Sequence, residues 1–167
     1  QGKNINDKLD GHCINGDRYL THCLWVRVMN EQEYYQKIEK NSYAEFKDRC
    51  SRFLAYAYPV QAVEECKRLL QQLKKEHPKA AHHCFAWRLQ WDGSMFRSGD
   101  DGEPSGTAGK PILGQIDSKQ LTHVAVFVIR YFGGILLGVP GLIQAYKSAS
   151  SMALQLVPVV KKPIEII

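Results

Sequence analysis

The sequence predicts a mixed α and β protein, because two hydrophobic periods alternate along one chain. Apolar and polar positions alternate with period two over 51–60, and the run at 124–129 is continuously apolar. Two other segments, 60–76 and 142–156, carry apolar residues at helical spacing. At 167 residues the chain is long enough for one substantial core, which favours a single main domain.

Residues 1–41 carry no clear period and are expected to be a poorly defined extension. Within it, 22–28 is a candidate strand and 30–41 a helical turn or lead-in. His12-Cys13 and His22-Cys23 are spaced like no common zinc knuckle, so no metal is expected there. The folded domain is expected over 42–157. In SRFLAYAYPV, Phe53, Ala55 and Ala57 face one way and Leu54, Tyr56 and Tyr58 the other, giving a strand with both faces partly covered. Pro59 ends it. The helix after it presents Val63, Cys66, Leu70 and Leu73 inward, with Glu64, Lys67, Arg68, Gln71, Lys74 and Lys75 as a solvated face. Pro78 closes that helix.

Ala81–Trp91 reads as a strand turning at Asp92-Gly93, with His82 and His83 on opposite faces. Val124–Ile129 reads as a buried central strand. Alternation then sends Val124, Val126, Val128 and Arg130 to one side and Ala125, Phe127, Ile129 and Tyr131 to the other. A guanidinium leaving the core requires a partner, and Asp100, Asp101 and Glu103 are the candidates. After Gly133, Gly134 and Gly138, Pro140 suits the first turn of a last helix reaching about Leu156. Residues 158–167, with Pro158 and Pro163, read as a linker and the start of a further strand.

The surplus of 22 Lys and Arg over 17 Asp and Glu is spread along the chain, so it permits an anionic partner without requiring one. Five cysteines without a CxxC pair read as reduced thiols of a cytoplasmic protein. No apolar run approaches the roughly 20 residues of a membrane span, so no membrane partner is expected. Nothing here fixes an oligomeric state, and no cofactor is implied.

Chemistry concentrates between Ser98 and Val139. Gly109-Lys110 falls short of a phosphate loop, because Pro104 and Pro111 stand where a glycine and a hydroxyl belong. The dinucleotide, serine-hydrolase and zinc-protease motifs are absent. What survives is a pair of loops suited to an anion. Gly106, Thr107, Gly109 and Lys110 offer amides, a hydroxyl and an ammonium, and the Gly133–Gly138 turn offers amides at a helix start. Glycines that serve only tight turns are the plainer alternative.

These residues resemble the YigZ/IMPACT family, in its N-terminal domain. DDGEPSGTAGKPIL at 100–113, RYFGGILLG at 130–138, the GL..AY pattern at 141–146 and HPKAAHHCFAW at 77–87 carry the likeness. The resemblance implies an α+β two-layer sandwich like ribosomal protein S5 domain 2, its mixed or antiparallel sheet carrying helices on one face. It also implies that 158–167 leads into a ferredoxin-like domain. The family's site positions fall on His82, His83, Asp101, Glu103, Thr107, Lys110 and Arg130. With Gly106, Gly109, Tyr131, Gly133, Gly134 and Lys147, these form the expected anion or nucleic-acid site, and His82, His83, Asp101 and Glu103 are the catalytic candidates. Two departures from the family pattern stand out: Val139-Pro140 interrupts its glycine pattern, and Gln144 replaces a basic residue that many members carry, with Lys147 one turn further along; losing that basic group weakens the nucleic-acid case. The eukaryotic relative regulates translation during amino-acid starvation, partly through a different domain. The resemblance therefore implies a non-enzymatic regulator of translation that binds RNA, the ribosome or a translation factor. The alternative is an enzyme for a small phosphorylated or peptide substrate.

Overall fold

The computed structural model of the chain describes residues 33–165. Seven strands and three helices follow in the order β1 (Tyr34–Ile38), β2 (Ser42–Asp48), β3 (Ser51–Pro59), α1 (Val63–Glu76), β4 (His82–Leu89), β5 (Met95–Gly99), α2 (Gly109–Ser118), β6 (Val124–Tyr131), α3 (Gly138–Gln155) and β7 (Val159–Pro163). Strands 2 to 6 form one sheet in the order β2-β3-β6-β4-β5, and every neighbouring pair is antiparallel. β1 and β7 form a separate antiparallel pair.

β6 holds the centre because its residues 124–130 are all buried. Such a run suits only a strand covered on both faces. Val124, Val126 and Val128 pack with Phe53, Ala55, Ala57, Cys84 and Ala86 beneath α2 and α3. The alternate residues Ala125, Phe127 and Ile129 pack with Leu54 and Trp87 beneath α1, through its Cys66 and Leu73. Each fully buried large apolar side chain contributes about 1.5–3 kcal/mol relative to exposure. Alanines at 55, 57, 86, 145 and 149 keep the α3 layer thin, so its helix axis can lie close to the sheet.

The α+β class and the antiparallel sheet agree with the sequence. The layering differs: helices expected on one face divide two and one, because both sides of β6 are apolar and both need cover. Residues 34–38, expected as a helical lead-in, form β1, and the expected linker at 159–163 forms β7. Their pairing supplies each with the backbone partner that local sequence does not reveal. β2 and β5 carry little alternation of their own and become strands by pairing with β3 and β4. The candidate strand at 22–28 and the His-Cys pairs lie outside the described residues. Among the described residues, no helix is long and apolar enough to cross a membrane.

Gly133 shows how tightly the end of β6 is packed. A Cβ there would stand 2.1 Å from the carbonyl of Cys50, in backbone that cannot give way. Gly133→Ala is expected to destabilise the fold by at least about 1–3 kcal/mol, measured as a lowered urea midpoint with an unchanged slope.

Candidate functional site

Strand register assembles the site. Arg130 lies between Phe53 of β3 and His82 of β4, at the end of β6 that faces the loop 100–108. Arg130 is 5% exposed, and its Nη1 donates to Glu103 Oε1 at 2.6 Å. Phe53 and Phe132 hold the guanidinium between their rings, each centroid 5.5 Å away. Glu103 is itself buried, and the Tyr146 hydroxyl of α3 donates to the same Oε1 at 2.7 Å. His82 Nε2 stands 3.7 Å from the other oxygen. The Cys84 thiol reaches the Tyr146 oxygen and the Asp100 carbonyl. Burial pushes that thiol up to about 12 and raises the Tyr146 phenol as well, so both stay protonated at neutral pH.

Asp100 has a different task. Its Oδ1 accepts the amides of Ala108 and Gly109, at 3.1 and 2.8 Å, and Oδ2 accepts that of Gly106 at 2.9 Å. Ala108, the residue at the head of α2, offers no side-chain cap, so Asp100 caps the helix from eight residues upstream. The amides expected to receive a phosphate therefore already hold an anion of the protein's own. Burial alone would raise the Asp100 carboxyl, but these three donors together hold it below the usual carboxylate range.

Asp101, with φ at +43°, turns away from its neighbours. Its Oδ2 accepts the His83 amide at 2.8 Å, its Oδ1 lies 3.7 Å from Lys74 of α1, and its carbonyl lies 2.8 Å from His82 Nδ1. Its carboxyl also sits below the ordinary value: burial raises it, and the His83 amide and Lys74 outweigh that. His83 Nε2 is 3.0 Å from the His77 carbonyl. The three acids thus point into three separate sets of partners. Among the described residues no group of three or more His, Cys, Asp and Glu side chains is arranged to hold a metal.

The other expected positions separate. Thr107 is buried and donates to the Pro104 carbonyl, while Lys110 stands exposed on the first turn of α2, beside Gly106. Tyr131 lies on the opposite face from Arg130, its hydroxyl 2.8 Å from His77 Nδ1. Gly133 packs on β3 and its amide donates to Ser51, and Gly134, at φ +87°, makes the turn. Lys147 is exposed two turns into α3. Sequence reasoning missed Tyr146 and Cys84 as members of the cluster. A tyrosine on a buried helical stripe was the available signal, because its hydroxyl needs a partner there. The turn after β6 carries a second surprise. Phe132, Ile135 and Leu136 are exposed by 50, 50 and 81%, and Val139 lies beside them in sequence, also exposed.

Removing one member of the buried pair leaves the other uncompensated. Arg130→Ala is expected to cost about 3–5 kcal/mol, read from urea unfolding, whereas Lys110→Ala leaves stability within about 0.5 kcal/mol. The carboxylates set the acid limit. Unfolded Asp side chains titrate near about 3.9, above their native values, so the unfolded chain takes up protons first as pH falls. The stabilisation is complete above about pH 5 and is lost as pH drops through the native values. Asp100→Asn is expected to lower stability at pH 7 and flatten its decline below pH 5, measured by urea midpoints across pH 3–7.

A profile of the Impact N-terminal domain matches residues 49–154. The Escherichia coli IMPACT family member YigZ is 41% identical over 107 residues, covering 63% of this chain and 52% of that protein. The Protein IMPACT homolog of Saccharomyces cerevisiae is 38% identical over 96 residues, covering 54% of this chain and 36% of that protein. A crystal structure described as that of a hypothetical protein superposes with a TM-score of 0.75 at 35% identity, over 80% of this chain and 66% of that one. The chain spans about half the length of the bacterial relatives it matches.

Proposed function

This chain belongs to the IMPACT family, and from that premise we propose that it is a cytoplasmic, non-enzymatic regulator of translation that works by binding a protein of the translation machinery. The observation that carries the non-enzymatic part is the internal use of every catalytic candidate. Glu103 is spent on Arg130 and Tyr146, Asp101 on His83 and Lys74, and both histidines contact the loop or the carbonyl of His77. A general acid or base needs a free lone pair or proton aimed at substrate, and these groups aim at each other.

The same accounting turns the reading from phosphate toward protein. The Gly106–Gly109 amides are filled by Asp100, and Arg130 is neutralised and buried. The turn at 132–139 instead displays Phe132, Ile135, Leu136 and Val139 to solvent. Arg49 braces it by donating to the Leu137 carbonyl at 3.2 Å. An apolar patch on a braced turn suits a protein contact better than a phosphate backbone. A translation factor or a ribosomal protein is the partner class that agrees with the family.

The test is a cell-free translation reaction supplied with the purified chain. Wild type is expected to change the rate of reporter synthesis and to co-sediment with ribosomes or a purified factor. Leu136→Asp is expected to abolish both while leaving the thermal midpoint within about 2 °C, as for an exposed site. No effect of the wild-type chain at saturation would reject the reading. RNA binding that falls with salt and weakens on Lys110→Ala would move it to nucleic acid. An effect lost on Asp101→Asn with the fold intact would move it to catalysis.

A further inference from the structure

At the other end of β6 lies a cleft of about 410 Å³, a volume within the range that holds small ligands or one side chain of a partner. Its lining includes Tyr35, Arg88, Trp91, Asp92, Asp117 and Gln120. From its geometry we infer that this cleft binds a guanidinium group. The inference stands apart from the translational reading and shares no residue with it.

The first observation is charge. Arg88, the cleft's cation, is already engaged: Nε and Nη2 both contact Asp117 Oδ1 at 2.8 Å, Nη1 donates to the Gly93 carbonyl, and the plane lies over Phe96. Asp117 Oδ2 is left to accept. Asp92 spends Oδ1 on the Ser94 amide, which holds its carboxyl below the usual range. The C-terminus of α2, at Ser118, also comes to this place, and the negative end of a helix favours a cation. The cleft therefore carries two carboxylates against one satisfied guanidinium, which disfavours phosphate and favours a positive ligand.

The second observation is the aromatic wall. Trp91 is 51% exposed at the tip of the β4–β5 hairpin, and the hairpin is fixed. Gly93 donates its amide to the Gln90 carbonyl, which also accepts the Thr122 hydroxyl at 2.5 Å. An exposed indole on a rigid turn is a ready stacking face for a cation. Gln120, which lines the cleft, and Gln90 and His123, each next in sequence to a lining residue, are three of the six non-glycine residues with positive φ among the described residues. A planar, delocalised cation satisfies the ring and the carboxylate together, because it stacks on one and donates in its plane to the other.

The test titrates the full chain with three probes and follows the Trp91 indole N–H signal, assigned by Trp91→Phe, in ¹H–¹⁵N spectra. The probes are N-acetyl-arginine amide, the tripeptide Gly-Arg-Gly and N-acetyl-citrulline amide, the last being the neutral isostere. Both arginine probes are expected to give saturable shifts, and citrulline to bind at least about tenfold more weakly, the loss of one charge-assisted contact. Asp117→Asn is expected to weaken arginine binding by about tenfold, and Trp91→Ala, followed by the Asp92 and Gln120 amides, to abolish it. A tighter tripeptide would place the guanidinium in a polypeptide partner, and equal affinities would point to a free guanidino compound; both uphold the site. Equal binding of citrulline, unchanged binding in both variants, or no saturable shift with either arginine probe would overturn it.

Discussion

The contact between Arg130 and Glu103 organises everything around it. Two charges this deeply buried cost several kcal/mol each to desolvate. They persist because their surroundings supply further contacts, although Arg130 Nε is buried without a hydrogen-bond partner. Tyr146 donates to the same carboxylate oxygen, Phe53 and Phe132 sandwich the guanidinium, and His82 closes the far side. These residues come from β3, β4, the 100–108 loop, the turn after β6 and α3. One ion pair therefore ties the centre of the sheet to the loop and to α3. A pair with this many tethers fixes geometry more than it adds net stability.

Asp100 extends that logic to the backbone. A loop with so many glycines pays a high conformational cost to be ordered. The carboxylate recovers part of it by gathering three amides that the loop and the start of α2 would otherwise leave without partners. Asp101, one residue on, faces the other way because its backbone adopts positive φ, and so reaches β4 and α1. Two adjacent acids thereby brace the loop from both sides of the sheet. The result is a loop whose acids are engaged by the protein's own amides and side chains.

The two ends of β6 divide the labour differently. Around Arg130 opposite charges cancel in the interior, and what reaches solvent is the apolar turn at 132–139. Around Trp91 the ion pair sits at the surface, carboxylate oxygen is left over, and the aromatic ring is held in the open. Both ends are built on antiparallel hairpins or turns whose backbone is pinned by side-chain donors. In each case a hydrophobic group is held exposed on braced backbone.

Much of this was legible in the chain. Alternation alone placed β3, β4 and β6, put Phe53 and Leu54 on opposite faces, and aimed Arg130 toward the acidic loop, since a strand's period fixes the face of every side chain. Helical stripes gave α1 and α3. Which acid would meet Arg130 was not decidable, because Asp100, Asp101 and Glu103 lie within four residues and a glycine turn can present any of them. Tertiary structure chose Glu103, sent Asp100 to the helix start, and thereby filled the amides that sequence alone offered to a phosphate. It also made β1 and β7 strands, since a short segment with weak periodicity takes its state from its pairing partner. Period and polarity belong to a residue's neighbours in sequence and can be read there; the settlement of charges and orphan amides depends on neighbours in space, and only the fold supplies those.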